Sequence, residues 1–199
     1  MRSSVLALVL SLSLASLAAA GQGPAAPAAS VDGPIDVSKV VGDSYRAVAY
    51  RLQPGEAPEL DGRLDDAVWQ RAPVQGQFVQ REPQFGYPAS ERTEFRVLYD
   101  DRMLYFGIWL YDRNPQGILG SELKRDAMLS KGDAVKIIID TFHDHRNAFY
   151  FSTNPLGAYK DANSVENGRT LNYDWNAVWE NHVTRDAVSY THLRAHETR

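Results

Sequence analysis

The sequence predicts an all-β chain, folded as an antiparallel β-sandwich of jelly-roll type that is truncated at its C-terminal side. Three observations carry that prediction. Short apolar runs return about every ten residues, with Gly, Pro, Asp and Asn gathered between them. No long stretch keeps its apolar residues at helical spacing. Residues 93–99 and 103–111, and again 134–140 and 148–153, are apolar runs joined by short polar turns, which makes a hairpin the natural connection within each pair.

In chain order, residues 1–20 read as a secretory signal peptide. Arg2 supplies a small positive charge, residues 5–17 are apolar and too short to span a bilayer comfortably, and Ala18, Ala19 and Ala20 supply the small residues of a cleavage site. A retained signal anchor is the alternative. Residues 21–43 are rich in Ala, Pro, Gly and Ser; they bury too little to offset the entropy of ordering and are expected to form a flexible linker. The folded domain is placed at 44–187, a length that suits one core. With no cysteine in 199 residues, disulfides, thiolate metal sites and a thiol nucleophile are excluded. A net charge of −4 speaks against nucleic acid and anionic lipid surfaces as partners.

Within the domain, residues 46–52 alternate loosely as a first strand. In 60–69, Asp61-Gly62 is turn chemistry, Asp65 is placed to cap a short helix, and that helix carries Val68 and Trp69, the latter as a core anchor. Phe95, Val97 and Tyr99 share one face of the next strand, and Asp100, Asp101 and Arg102 turn the chain. In 103–111, Leu104, Phe106, Ile108 and Leu110 fit the core, which puts Tyr105, Trp109 and Tyr111 on the other face with Gly107 as a gap between them. Residues 121–128 suggest a helical turn or two. The β-branched run of 134–140 is a central strand, 148–153 returns after a polar turn at 143–146, and 179–184 is a further strand.

A sugar-binding surface needs a flat apolar face for the C–H side of a pyranose and planar polar groups for its hydroxyls. Tyr105, Trp109 and Tyr111 form one candidate platform, with a covered, structural face as the alternative. Tyr173, Trp175 and Trp179, interleaved with Asp174 and Asn176, form a second aromatic group on a loop-like stretch, in which Trp179 belongs to the core. Catalytic patterns are weaker. Asp133 and Asp140 flank one strand about 20 Å apart, too far for a glycosidase carboxylate pair. His143 and His145 could join Asp144 around a metal, but no third His stands near, and a solvated loop explains them equally. A structural calcium held by loop carboxylates such as Asp161 and Glu166 is left open by the sequence. No Gly-x-Ser-x-Gly elbow, His-Glu-x-x-His helix or Gly-rich phosphate loop occurs.

Residues 60–69 (LDGRLDDAVW), then 94–101 and Leu104-Tyr105-Phe106, resemble the N-terminal half of carbohydrate-binding module family 9, whose members are β-sandwich sugar-binding modules. Asp112, Asp133-Ala134-Val135 and Ile139-Asp140 extend the resemblance over about half the chain. It departs from the family's xylanase modules at the site. Ser130 stands near where those modules carry a stacking Trp, Lys136 where they carry a binding carboxylate, and Ser152 where they carry an Arg. The stretches 123–126 (LKRD), 140–144 (DTFHD), 154–157 (NPLG) and 175–179 (WNAVW) are similar to a bacterial exported subgroup in which such a module precedes a large C-terminal domain, read as a membrane β-barrel. That resemblance implies Arg125, Asn154 and Trp175 as site residues, Arg and Asn for hydrogen bonding and Trp for stacking; a turn at 154–157 is the structural alternative. Residues 188–199 resemble translated sequencing adaptor, so His192 and His196 are set aside as metal ligands, and the sandwich is expected to lack its last strand or strands.

These readings converge on an exported, non-catalytic module that binds a polysaccharide or oligosaccharide, needs no cofactor, with a structural calcium left open, and works in the periplasm, at the outer membrane or outside the cell. Any glycosyl hydrolase activity would belong to an attached domain. An interaction domain that packs on a downstream barrel without binding sugar is the alternative, and a fragment of a glycoside hydrolase-associated protein is the third.

Overall fold

The computed structural model describes residues 5–11, 46–166, 169–185 and 189–197. The expected linker, residues 21–43, and its boundary with the domain lie outside these residues. Ten strands and one short helix follow in order: β1 Val5–Ser11, β2 Ala49–Arg51, α1 Ala67–Arg71, β3 Thr93–Tyr99, β4 Met103–Tyr111, β5 Ala134–Asp140, β6 Ala148–Thr153, β7 Tyr159–Val165, β8 Thr170–Asn172, β9 Trp179–Arg185 and β10 Ser189–Glu197. They form two five-stranded sheets, β1-β5-β6-β7-β8 and β2-β3-β4-β10-β9. Pairing is antiparallel except at two edges, where β1 runs parallel to β5 and β2 parallel to β3. The expected sandwich is therefore present, with two parallel strands added at its rims.

The core follows from side-chain alternation. Phe95 and Val97 of β3, Leu104, Phe106, Ile108 and Leu110 of β4, and Val135, Ile137 and Ile139 of β5 meet Phe151 and Trp179 between the sheets. A second, smaller core lies on the other face of β3 and β4, where Leu98 and Tyr105 are covered by Leu52, Leu64, Trp69 and Ala72. Trp69 is fully buried there, as its role of anchor requires. Gly62 makes the turn before α1 at φ +83°, and a β-carbon on it would fall 2.7 Å from Thr184 Oγ1 and 3.1 Å from the Thr184 amide nitrogen. Asp61 accepts the Arg63 amide at 2.7 Å, the local bond expected of an Asp in such a turn.

Some expectations need correction. Asp65 does not cap α1: the helix starts after Asp66, no side chain caps it, and the Asp66 carboxylate accepts the Glu59 amide at 3.1 Å instead. Residues 121–128 form no helix, because their backbone groups find partners across the fold: Asp126 N–H donates to the Tyr159 carbonyl and the Glu122 carbonyl accepts from Asn154 Nδ2. Of the expected loop carboxylates, Asp161 lies within strand β7, while Glu166 follows it in a turn. At the chain ends, Val5–Ser11, within the expected signal peptide, lies along the outer edge of β5, and Ser189–Glu197, within the expected adaptor stretch, fills the position between β4 and β9. Both placements give main-chain partners to strands that would otherwise present unpaired edges.

Candidate functional site

The outer face of β4 is closed rather than open. Tyr105 is 5% exposed, packed beside Trp69, and its hydroxyl donates to Asp100 Oδ2 at 3.2 Å. Burial, then the neighbouring Asp100 charge, pushes its pKa up to about 12. The gap at Gly107 is filled: a β-carbon there would lie 2.9 Å from both Leu64 Cδ2 and Trp69 Cζ3. Trp109 and Tyr111 are half-buried, each with a guanidinium over its ring, Arg96 at 5.4 Å and Arg92 at 4.8 Å. The Tyr111 hydroxyl donates to Glu94 Oε2 at 3.2 Å, and burial with the Glu94 charge raises its pKa. Arg96 also donates to the Trp69 carbonyl, tying β3 to the end of α1. Of the expected platform, Tyr105 is thus covered by the segment that carries Trp69, because only a glycine at 107 lets an indole settle onto the strand, while Trp109 and Tyr111 stay half-buried beneath Arg96 and Arg92.

The other three candidates lie around one rim of the sandwich. Arg125 Nη2 donates to Asn176 Oδ1 at 2.7 Å and pairs with Asp161 Oδ1 at 3.3 Å, its Nε stands 3.3 Å from Asp126 Oδ2, and its guanidinium lies 5.2 Å from the centre of the Tyr159 ring. Asp161 is fully buried in the middle of β7, and its second oxygen accepts the Ala177 amide. Trp175, between these contacts, stacks on Phe149 at 4.8 Å and 22° and meets Phe151 edge-on at 6.1 Å. One face of the half-buried indole is therefore occupied by Phe149. Asn154 is 2% exposed and fully engaged: Nδ2 donates to the Glu122 carbonyl at 2.7 Å, while Oδ1 accepts the Leu156 and Ala158 amides at 3.1 and 2.9 Å. It shapes the 154–157 turn and fixes the loop that bears Arg125. Its amide is not free for a ligand, and that corrects its assignment as a direct contact.

Arg125 and Trp175 thus meet through Asp161 and Asn176, which the sequence reading did not connect to them. Asp161 was hard to find because Tyr159, Asp161 and Asn163 face inward while Lys160, Ala162 and Ser164 face outward, so polarity does not mark the core side of β7. As a calcium ligand Asp161 is already committed to a guanidinium and an amide, and Glu166, in the turn after β7, accepts from Thr170 Oγ1 at 3.0 Å. Among the described residues no group of three or more His, Asp or Glu side chains is gathered closely enough to hold a metal ion. His143 and His145 lie 5.0 Å apart in the β5–β6 turn, where Asp140 accepts the Phe142 and His145 amides and Asp144 those of Arg146 and Asn147. Those amides, Asn147 first, hold the Asp144 pKa below the usual carboxylate value. Asp133 accepts the Leu119 amide at 2.8 Å. Each of these carboxylates orders a turn.

No family model and no curated protein matches the sequence. Solved structures do. The fold superposes on a carbohydrate binding module family 9 from Caldicellulosiruptor kristjanssonii in complex with cellotriose, with a TM-score of 0.53 and 14% identity over 76% of this chain and 67% of that one. The same module in complex with glucose gives a TM-score of 0.53 and 14% identity, covering 77% and 69%. The fold is CBM9-like. Within the CBM9-like frame, Lys136 and Ser152 are direct cross-strand partners on the outer face of the β5–β6 pair.

Proposed function

We propose that this chain is a non-catalytic carbohydrate-binding module, exported through its N-terminal signal peptide to the periplasm, outer membrane or cell exterior as part of a larger carbohydrate-handling protein. The observation that carries the reading is the CBM9-like fold, whose solved neighbours hold cellotriose and glucose. The rim built by Arg125, Asn176 and Trp175 suits a sugar: an indole backed by Phe149 is held rigid for stacking, and the partly exposed guanidinium has its orientation set by Asp161. Titration calorimetry against xylan, cellulose, mannan and free sugars tests it. Saturable binding that weakens at least about tenfold in Trp175→Ala is expected, from the value of one stacking contact. Absence of binding across the panel, with the chain folded, overturns the reading.

A second reading is an interaction domain for a downstream outer-membrane barrel. Leu123, Met128 and Val178, on the loops around Arg125 and Trp175, are 76%, 66% and 71% exposed, an apolar character that a protein partner would cover. Capture of the separately produced downstream domain, without retention on any polysaccharide, would decide for it.

A further inference from the structure

The outward face of the β5–β6–β7 sheet carries a row of side chains in strict cross-strand register. Lys136 opposes Ser152, and Ser152 opposes Lys160. Because Val135 and Ile137 point into the core, Lys136 points away from it, and residues directly opposite share a face. The next row on the same face is Ile138, Tyr150 and Ala162. At the β8 side, the Lys160 ammonium sits 3.7 Å from the centre of the Tyr173 ring. Tyr173 begins the same loop that carries Trp175, which packs on the inward side of the sheet against Phe149 and Phe151.

Among the described residues no carboxylate pairs with Arg81, Lys136 or Lys160, although the chain as a whole is acidic. Lys136 is half-buried, and burial followed by the nearby Arg81 charge lowers its pKa. Ser152 is 2% exposed, and its hydroxyl has no well-formed hydrogen bond within the described residues; the Tyr150 hydroxyl is its polar neighbour. Half-buried Lys136 and Lys160, the latter with its ammonium over the Tyr173 ring, stand in register on either side of the buried Ser152, an environment that a carboxylate on a pyranose ring would complete. The cations supply the countercharge, and the rings supply faces for C–H contact.

We infer that the row Lys136–Ser152–Lys160, flanked by Tyr150 and Tyr173, binds the carboxylate of a uronic-acid residue, so that the module selects acidic over neutral polysaccharides. The inference rests on the carbohydrate-binding reading and adds the substrate class to it. The test is calorimetry on the full chain with polygalacturonate, its fully methyl-esterified form and polyglutamate. Polygalacturonate binds saturably and more weakly as salt is raised; the ester binds about tenfold more weakly or worse, as does polygalacturonate to Lys136→Met or Lys160→Gln, each cation being worth one charged hydrogen bond. Circular dichroism verifies that both variants fold, and Lys160→Gln, nearer the β8 edge, stands in if Lys136→Met does not. Equal binding of acid and ester, equal binding of polyglutamate, or unchanged binding in a folded variant overturns the inference. If neutral glucans bind and Trp175→Ala abolishes that while the lysine variants do not matter, the module remains a sugar binder and only this inference falls. If no sugar binds, both fall.

Discussion

At the scale of single residues, Gly107 and Tyr105 show how an aromatic platform in sequence becomes a core in space. A methyl group at 107 has no room between Leu64 and Trp69, so Gly107→Ala is expected to lower stability by roughly 1–3 kcal/mol, read by urea unfolding. Tyr105 tests the burial by pH. Its folded pKa of about 12 lies above the ordinary 10, so the folded state holds its proton more tightly. Stability from this group is complete below pH 10, declines as the unfolded chain begins to lose its proton, and is lost as pH rises through 12. The phenolate absorbance should show one tyrosine ionising only with unfolding, and a titration complete near pH 10 in the folded protein would contradict the packing. Trp175→Ala, by contrast, is expected to act on sugar affinity more than on the fold, because Phe149 and Phe151 keep their contacts with the inter-sheet core.

At the scale of elements, loops are held by buried polar side chains rather than by helices. Asn154 joins the β6–β7 turn to Glu122, and Asp161 joins β7 to Arg125 and the 173–178 loop. Asn154→Ala strands the Leu156 and Ala158 amides and the Glu122 carbonyl, and is expected to cost about 1–3 kcal/mol. Arg125→Ala and Asp161→Ala should be less than additive, because each removes the same pair; full additivity in a double-mutant cycle would deny the contact. Much of this level was legible beforehand. Strands β3 to β6 stand where alternation and turn residues place them, since each has one clearly apolar face or a β-branched run. β7 and β8 were not legible, because Asp161 and Asn163 face inward and erase the contrast between the two sides. The unformed helix at 121–128 has the same origin: the Glu122 carbonyl and the Asp126 amide find partners 32 and 33 positions away, which no local pattern reveals.

For the whole molecule, the central question is the strand between β4 and β9. β10 is flanked on both sides, and its partners run the full length of β4. A chain ending at Arg185 would expose the edges of both neighbours. It is expected to melt with concentration-dependent midpoints and to sediment as oligomers, whereas the full chain melts independently of concentration. Equal, concentration-independent melting of the two would show that the β10 position is dispensable.

The sequence by itself determined the all-β class, the two central hairpins, the burial of Trp69 and the CBM9-like frame, because each rests on local alternation, turn chemistry or a short motif. Only the tertiary structure decided which aromatic residues are surface and which are core. It closed Tyr105 beneath Trp69, engaged Asn154 within its own turn, and brought Arg125 to Asp161 and Asn176, which are 36 and 51 residues away. It also set Lys136, Ser152 and Lys160 in one row, since register between strands depends on how loops close and which faces are buried.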